Sequence, residues 1–184
     1  MKTFKEFLIE IEEIKNFAKK NKTSTSLRDE DHVIQNGGKL ISITPSGHKV
    51  YQTSNKGSIR KEYHAINPET KKVDVSVDGN ERNSVMSQIL LIANKGNTIK
   101  AHEFLHHLTT KHDKTMVWDK HSIGGKIAVQ KLAKMKGVSS HGWYKGKPIN
   151  INASDDEYTH GPSQSSSSEE KEARDTLLVT HKTK

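Results

Sequence analysis

The fold is decided by the stretch ILLIANKGNTIKAHEFLHHLTTKHDKTMVWDKHSIGGKIAVQKLAKMK, residues 89–136. Its apolar residues form two short runs and two groups at helical spacing, with a glycine-containing turn after each run. The pattern predicts strand, turn, helix, strand, turn, helix. The inward stripe of the first helix is Ala101, Phe104, Leu105 and Leu108, and that of the second is Ala128, Leu132 and Met135.

Residues upstream of this stretch show the alternation of β-strands. Two hairpins are predicted, KLISI with HKVYQT and RKEYHAI with KKVDVSV, because a proline-containing turn separates the runs of each pair. A turn beginning at Asp78 and a more continuously apolar strand over residues 85–93 follow, and the strand is expected at the sheet centre. A short pair, SSHGW and PININ, closes the fold. The predicted class is α+β, an antiparallel meander followed by strand-helix-strand-helix-strand, over residues 32–152.

The two ends of the chain differ from this folded part. Residues 14–31 are predicted to hold the end of an N-terminal helix and a polar linker. Residues 153–184 are acidic and serine-rich and predict a disordered tail with a short helix over residues 171–179. The N-terminal helix is amphipathic and capped by Thr3, and its apolar stripe is Phe4, Phe7, Leu8, Ile11, Ile14, Phe17 and Ala18.

Composition narrows the classes of function. The 184 residues include no cysteine, which excludes disulfides and thiolate metal sites. The longest apolar run, residues 89–93, is far shorter than the roughly 20 residues that span a bilayer, so no membrane partner is expected. Residues 91–150 contain eleven lysines and three acidic residues, which accounts for the net charge of +8. Such a basic unit attracts polyanions, nucleic acid among them.

The first ten residues, MKTFKEFLIE, resemble the capsid-targeting leader of internal head proteins from large contractile-tailed phages. Such leaders are short amphipathic segments that begin Met-Lys-Thr and end in the head protease's signal, Leu or Ile, any residue, then Glu. Residues 8–10, Leu-Ile-Glu, fit that signal, and residues 11–13, Ile-Glu-Glu, are a second match. The resemblance implies that residues 1–13 are a leader that binds the capsid scaffold and is cleaved after Glu10 or Glu13.

The same resemblance implies where the protein acts. It would be packaged beside DNA in the virion interior, held by non-specific electrostatic attraction, and then ejected with the DNA into the host cytoplasm. A host protein is the expected target there.

The order of elements in the central part resembles the GNAT superfamily of N-acetyltransferases. In that superfamily, the turn after the central strand and the N-terminus of the next helix hold the pyrophosphate of acetyl-coenzyme A. Exposed N–H groups and the helix dipole favour an anion at such a position. The resemblance implies acetyl-coenzyme A as the cofactor, bound by Asn94, Lys95, Gly96, Asn97 and Thr98.

This turn departs from the superfamily's pattern of Arg or Gln, two residues, Gly, one residue, then Gly or Ala. Ala93 stands in place of Arg or Gln and Thr98 in place of the last small residue, so that only Gly96 is kept. Val129 stands where the second helix often carries a tyrosine that protonates the departing thiolate. Two hypotheses follow: an active acetyltransferase, or a GNAT-like domain that has lost catalysis.

The first helix of the central stretch supports a third hypothesis, a zinc metalloprotease. His102 and His106 lie on one helix face and can share a zinc ion, with Glu103 as the general base. His112 resembles the third ligand of the metzincin pattern HExxHxxGxxH. However, Thr109 replaces the pattern's glycine and is poorly suited to a positive φ, and on a continued helix His112 points away from His102. Surface histidines on a basic helix are the competing interpretation.

Overall fold

The computed structural model describes residues 28–54, 57–118, 123–144, 147–149, 151 and 176–183. The predicted leader with its cleavage sites, Glu10 and Glu13, and most of the predicted tail lie outside these residues. The elements of the described part, in chain order, are α1 Glu30–Gln35, β1 Lys39–Ile43, β2 Lys49–Thr53, β3 Arg60–Ile66, β4 Val73–Arg82, β5 Val85–Ala93, α2 Ala101–Lys111, β6 Thr115–Trp118, α3 Ile123–Ala133, β7 Val138–Tyr144, β8 Lys147–Ile149 and β9 Thr176–Lys182.

The strands form one nine-stranded sheet in the order β1-β2-β3-β4-β5-β6-β9-β7-β8. β5 and β6 pair in parallel, and every other pair of neighbours is antiparallel. The predicted hairpins are β1 with β2 and β3 with β4, and the predicted closing pair is β7 with β8. The α+β class with a mostly antiparallel sheet is therefore confirmed.

One face of the sheet packs against α2 and α3, and we call it the helical face. Val75 and Val77 of β4 are fully buried on it, as their alternation with polar residues predicts. The predicted helix stripes also lie in this core, which contains Phe104, Leu105 and Leu108 of α2 and Ala128, Val129 and Leu132 of α3. Burial of these side chains is what fixes both helices on the sheet.

The opposite face, which we call the open face, is covered in part by α1. The Asp29 side chain accepts a hydrogen bond from the His32 N–H and caps this helix. Its Val33 packs on the open face in a small cluster with Tyr51, Ile66 and Val73. The prediction of a linker up to residue 31 and of strands from residue 32 is therefore wrong, because Glu30–Gln35 forms a helix. A helix of six residues is too short for a helical period to stand out.

The meander also differs from its prediction after β4. The predicted turn from Asp78 is wrong, because β4 continues to Arg82 and the chain reverses at Asn83 and Ser84. Both of these residues have positive φ, as two-residue hairpin turns require. β4 thereby becomes the longest described strand and supports the whole length of β5.

β5 and β6 separate soon after they pair. Their register covers only Val85 opposite Thr115 and Met86 opposite Met116. Beyond this point the register of β5 with β4 shifts at Gly79, as in a bulge. A bulge bends and twists its strand, which accounts for the separation of β5 from β6. The turn after β5 consequently lies at an opening in the sheet.

The predicted disordered tail is wrong at its far end. Thr176–Lys182 forms β9, which lies between β6 and β7 and pairs with both. Leu178 and Thr180 have no exposed surface. The predicted helix over residues 171–179 is wrong for its last four residues, since these belong to β9. The run TLLVT has β-prone residues. However, its partner strands, β6 and β7, are remote in sequence, and the serine-rich segment before it favours a prediction of disorder.

We expect Leu178→Ala to lower the free energy of unfolding by about 2–5 kcal/mol, because it leaves a cavity in the main core. Denaturant unfolding followed by circular dichroism measures this change. The matched control is Lys182→Ala in the same strand, which removes only an exposed ion pair with Asp113 and should cost less than about 1 kcal/mol. If the C-terminal residues were disordered, neither substitution would alter the unfolding midpoint.

Candidate functional site

The candidate site is the turn between β5 and α2, Asn94 to Thr98, at the opening between β5 and β6. Lys95 and Gly96 are exposed at its tip. Gly96 has φ +81°, a conformation that side chains with a Cβ rarely adopt. The Asn94 N–H donates to the Asp74 carbonyl oxygen at 2.9 Å, and the Asn94 side chain donates to the Val73 carbonyl oxygen. The turn is therefore attached to the start of β4.

The carboxylate of Asp74 is the centre of this attachment. Its Oδ2 accepts hydrogen bonds from the Thr98 N–H at 2.8 Å, the Thr98 hydroxyl at 2.9 Å, His48 Nε2 at 3.0 Å and Asn67 Nδ2 at 3.2 Å. Asp74 is buried. Burial alone would raise its pKa, but the bonds from Thr98, His48 and Asn67 outweigh it and hold the pKa below its ordinary value. Asp74 is thus an ionised carboxylate at the base of the candidate site, with four hydrogen bonds to its Oδ2.

Asp74 also determines which ring nitrogen of His48 carries a proton toward it. His48 is a buried histidine that its spacing in the sequence does not reveal. Because the ionised carboxylate can only accept, His48 donates from Nε2, and its Nδ1 lies 3.0 Å from the Ser46 hydroxyl. Serine, histidine and aspartate in this order resemble a nucleophile with its base. The Gly47 N–H beside Ser46, however, donates to the Thr44 carbonyl oxygen at 2.9 Å and is not free to stabilise an oxyanion. The arrangement consequently anchors the β1–β2 turn.

A second carboxylate lies at the N-terminus of α2. The Glu103 Oε2 accepts a hydrogen bond from the Lys100 N–H at 2.8 Å. The Thr98 N–H likewise donates to the Asp74 carboxylate. Two of the N–H groups that lead into the helix therefore already donate to negative charges of this chain. The N–H groups of Lys95 and Gly96 donate to no group among the described residues. A bound anion would therefore accept hydrogen bonds from the N–H groups at the tip of the turn and would be repelled by two carboxylates.

The two positions at which the sequence departs from the GNAT pattern lie in or against the core. Val129 has no exposed surface and packs on the helical face, so α3 presents no proton donor there. Ala93, at the end of β5, is partly buried against the same core. Neither position offers a polar group to a cofactor.

The structure does not bring the candidate zinc ligands together. His106 Nε2 lies 2.9 Å from the Lys136 carbonyl oxygen, at the seam between α2 and α3. His112 Nε2 lies 2.7 Å from the Ser42 hydroxyl of β1, which is also 2.9 Å from His107 Nε2. Among the described residues, which include all the candidate ligands, no group of three or more His, Asp or Glu side chains could hold a metal ion. His102 and Glu103 remain at the start of α2.

His107 is a buried histidine that its position in the sequence does not reveal. Its ring lies 5.5 Å from that of His112, centroid to centroid. Burial and the positive charges of His112 and Lys111 together lower the pKa of His107 to about 4. Its partner Ser42 lies 65 positions earlier in the chain. At neutral pH, His107 is therefore an uncharged link between α2 and the edge strand β1.

The exposed surface of α2 and α3 is basic. The pKa of His102 is lowered by burial and, against the opposing charge of Glu103, by the charges of Lys131 and Lys100, so both lysines lie near His102. The exposed lysines in and beside these helices are Lys100, Lys111, Lys131, Lys134 and Lys136, and none forms an ion pair with a carboxylate in the part of the chain that the structure describes. We call these five lysines the basic seam.

Comparison of the chain with protein-family models, with curated proteins and with solved structures finds no match. No helix within the described ranges is long and apolar enough to cross a membrane. The function is accordingly inferred from the chain's own geometry.

We expect Asp74→Ala to destabilise the protein by about 3–5 kcal/mol, because it leaves the buried donors of His48, Asn67 and Thr98 without their acceptor. The control is Glu69→Ala, an exposed acidic residue of the neighbouring turn, which should change stability by less than about 0.5 kcal/mol. Urea unfolding of both variants measures the difference. Equal stability of the two would show that the Asp74 network is dispensable.

The free energy of unfolding should also fall as the pH is lowered from about 6.5 to about 4. These are the pKa values of His107 in the unfolded chain and in the folded protein, respectively. Because the folded pKa is the lower one, the unfolded chain binds the proton more tightly, so this stability is fully present above pH 6.5 and lost on acidification. We expect a loss of about 1–3 kcal/mol from His107. In urea unfolding across this range, His107→Gln should flatten the slope without abolishing it, since the pKa values of His102 and His112 are also lowered. The exposed-site control His32→Gln should keep the slope.

Proposed function

We propose that this chain is an internal virion protein of a large contractile-tailed phage, built on a GNAT-like domain that does not transfer acetyl groups. The observation that carries the domain assignment is the arrangement around β5. An antiparallel meander ends in β5, α2 crosses to the parallel strand β6, and the two strands separate at the turn before α2. Open sheets that contain parallel strands bind ligands beyond the carboxyl ends of such strands, where Asn94 to Thr98 lie.

The loss of catalysis is supported by what occupies this turn. A pyrophosphate there would gain the N–H groups of Lys95 and Gly96, but it would meet the carboxylates of Asp74 and Glu103. Like charges repel. The buried Val129 also gives a departing thiolate no acid. The turn thus keeps its position and has replaced the external anion with the chain's own carboxylates.

Packaging beside DNA is supported by the basic seam. Five exposed lysines in and beside α2 and α3 supply positive charge, and Glu103 is the described carboxylate that lies among them. Contacts of this kind bind phosphate groups without sequence preference and weaken as salt displaces them. The same surface suits release into the host, where dilution and salt would free the protein for a host protein target.

The setting in the virion rests on the resemblance of residues 1–10 to a capsid-targeting leader. The leader would bind the capsid scaffold and be removed by the head protease. Cleavage after Glu10 or Glu13 leaves the basic seam and the whole described fold, which begins at residue 28, intact. The mature protein would then lie in the virion interior and later in the host cytoplasm.

N-terminal sequencing of the protein from purified virions tests this proposal. We expect the chain to begin at Ile11 or Ile14. Glu10→Ala combined with Glu13→Ala should retain Met1, because both cleavage signals lose their glutamate. The matched control is Glu12→Ala, which removes a neighbouring glutamate from the middle position of the second signal and should still be cleaved. Intact Met1 in the unsubstituted virion protein would refute the proposal.

An active acetyltransferase is the second candidate function, favoured by the position of the Gly96 turn at the opening between β5 and β6. Isothermal titration calorimetry with acetyl-coenzyme A separates the two. We expect no binding heat at millimolar cofactor. Measurable binding that is lost on Gly96→Val would instead assign the turn to the cofactor.

A further inference from the structure

The open face of the sheet carries an apolar surface over β5, β6 and β9. Val85 and Leu90 of β5 are 41% and 45% exposed. Ile92 lies opposite Ser76, and Val117 lies opposite Val179, all at positions that alternate with core residues of the helical face. Val85 lies where β5 pairs with β6, the strand of Val117, and Leu90 and Ile92 follow along β5 opposite the polar Asp78 and Ser76. Exposed apolar side chains grouped on one sheet face mark a surface at which another element can bind.

No helix of the described residues covers this part of the open face. α1 packs through Val33 on Tyr51, Ile66 and Val73, which belong to β2, β3 and β4. α2 and α3 lie on the other side of the sheet. The surface formed by Val85, Leu90, Ile92, Val117 and Val179, which we call the apolar strip, is thus uncovered in the described structure.

We propose that the N-terminal segment of this chain, residues 3–18, docks as a helix on the apolar strip. Its sequence provides a stripe from Phe4 to Phe17 that spans thirteen residue steps, or about 20 Å along a helix. The strip extends along β5 from Val85 to Ile92, about 23 Å of strand. A short amphipathic helix is marginal alone in water and needs an apolar partner, and the strip matches it in length and character.

The chain enters the described structure on the correct side of the sheet. Arg28 donates to Glu62 at 3.0 Å, and its carbonyl oxygen accepts from the Val73 N–H at 3.2 Å. Glu62 alternates with the core residue Tyr63 and therefore faces the open side. From β3, where Glu62 lies, to β9 is four strand spacings, about 19 Å. Residues 19–27 can span up to about 30 Å and so reach the strip from Arg28.

Docking gives the leader a second role. Removal of residues 1–13 would delete Phe4, Phe7, Leu8 and Ile11 from the stripe and uncover the strip in the processed protein. This consequence rests on the proposed function, whereas docking itself does not. Before cleavage, the segment protects the sheet; after cleavage, the strip becomes available to a partner.

Cysteine cross-linking of the complete, uncleaved chain tests the docking, and the absence of native cysteine leaves only the introduced pair. In one variant Phe7→Cys is combined with Leu90→Cys, at the centre of the strip. In the matched variant Phe7→Cys is combined with Ile127→Cys, on α3, where the exposed fraction is a similar 47%. We expect the first pair to form its intramolecular disulfide at least about tenfold faster, because docking raises the effective concentration of the two thiols.

A third variant adds Phe4→Asp and Ile11→Asp to the first pair, and its rate should fall to that of the Ile127 control. Equal rates for the Leu90 and Ile127 pairs would overturn the proposal. Disulfides that form between molecules would also overturn it and assign the strip to a second copy of the chain. The measurement uses unprocessed protein, so it is independent of whether the virion form is cleaved.

Discussion

The buried carboxylate of Asp74 is the interaction on which the candidate site depends. It joins four segments: β4 itself, the β1–β2 turn through His48, the β3–β4 turn through Asn67, and the approach to α2 through Thr98. A buried charge is costly unless its lone pairs are satisfied, so these segments are held in one arrangement. Asp74 and Glu103 also supply the negative charge that the N-terminus of α2 favours.

The sheet separates two surfaces of different chemistry. Its helical face is covered by α2 and α3, whose outer side carries the basic seam. Its open face is covered by α1 only over β2 to β4 and presents apolar side chains over β5, β6 and β9. The first surface suits a polyanion, because its lysines lack described ion-pair partners. The second has the apolar character that an amphipathic helix requires.

Prediction from the sequence succeeded where structure depends on near neighbours. The proline-containing turns located the hairpins, and the spacing of Phe104 and Leu108 located the inner face of α2. Alternation placed Val75 and Val77 on one buried face, but it failed at Val73, which a register shift between β3 and β4 turns to the open face. Prediction also failed where an element is short or isolated. α1 has only six residues, and β9 follows a serine-rich segment that suggests disorder. In both cases, burial against strands remote in sequence outweighs local composition.

The candidate site shows the same division. The sequence by itself determined the position of the Gly96 turn, the helix that follows it and the basic charge of the central unit, because each is a local property of composition and spacing. Only the tertiary structure decided that Asp74 and His48 lie against that turn, that Ser42 joins His107 to His112, and that β9 enters the sheet between β6 and β7. These contacts join residues far apart in the chain, and their energy arises from burial and hydrogen bonding after the strands have paired. No pattern of neighbouring residues encodes them.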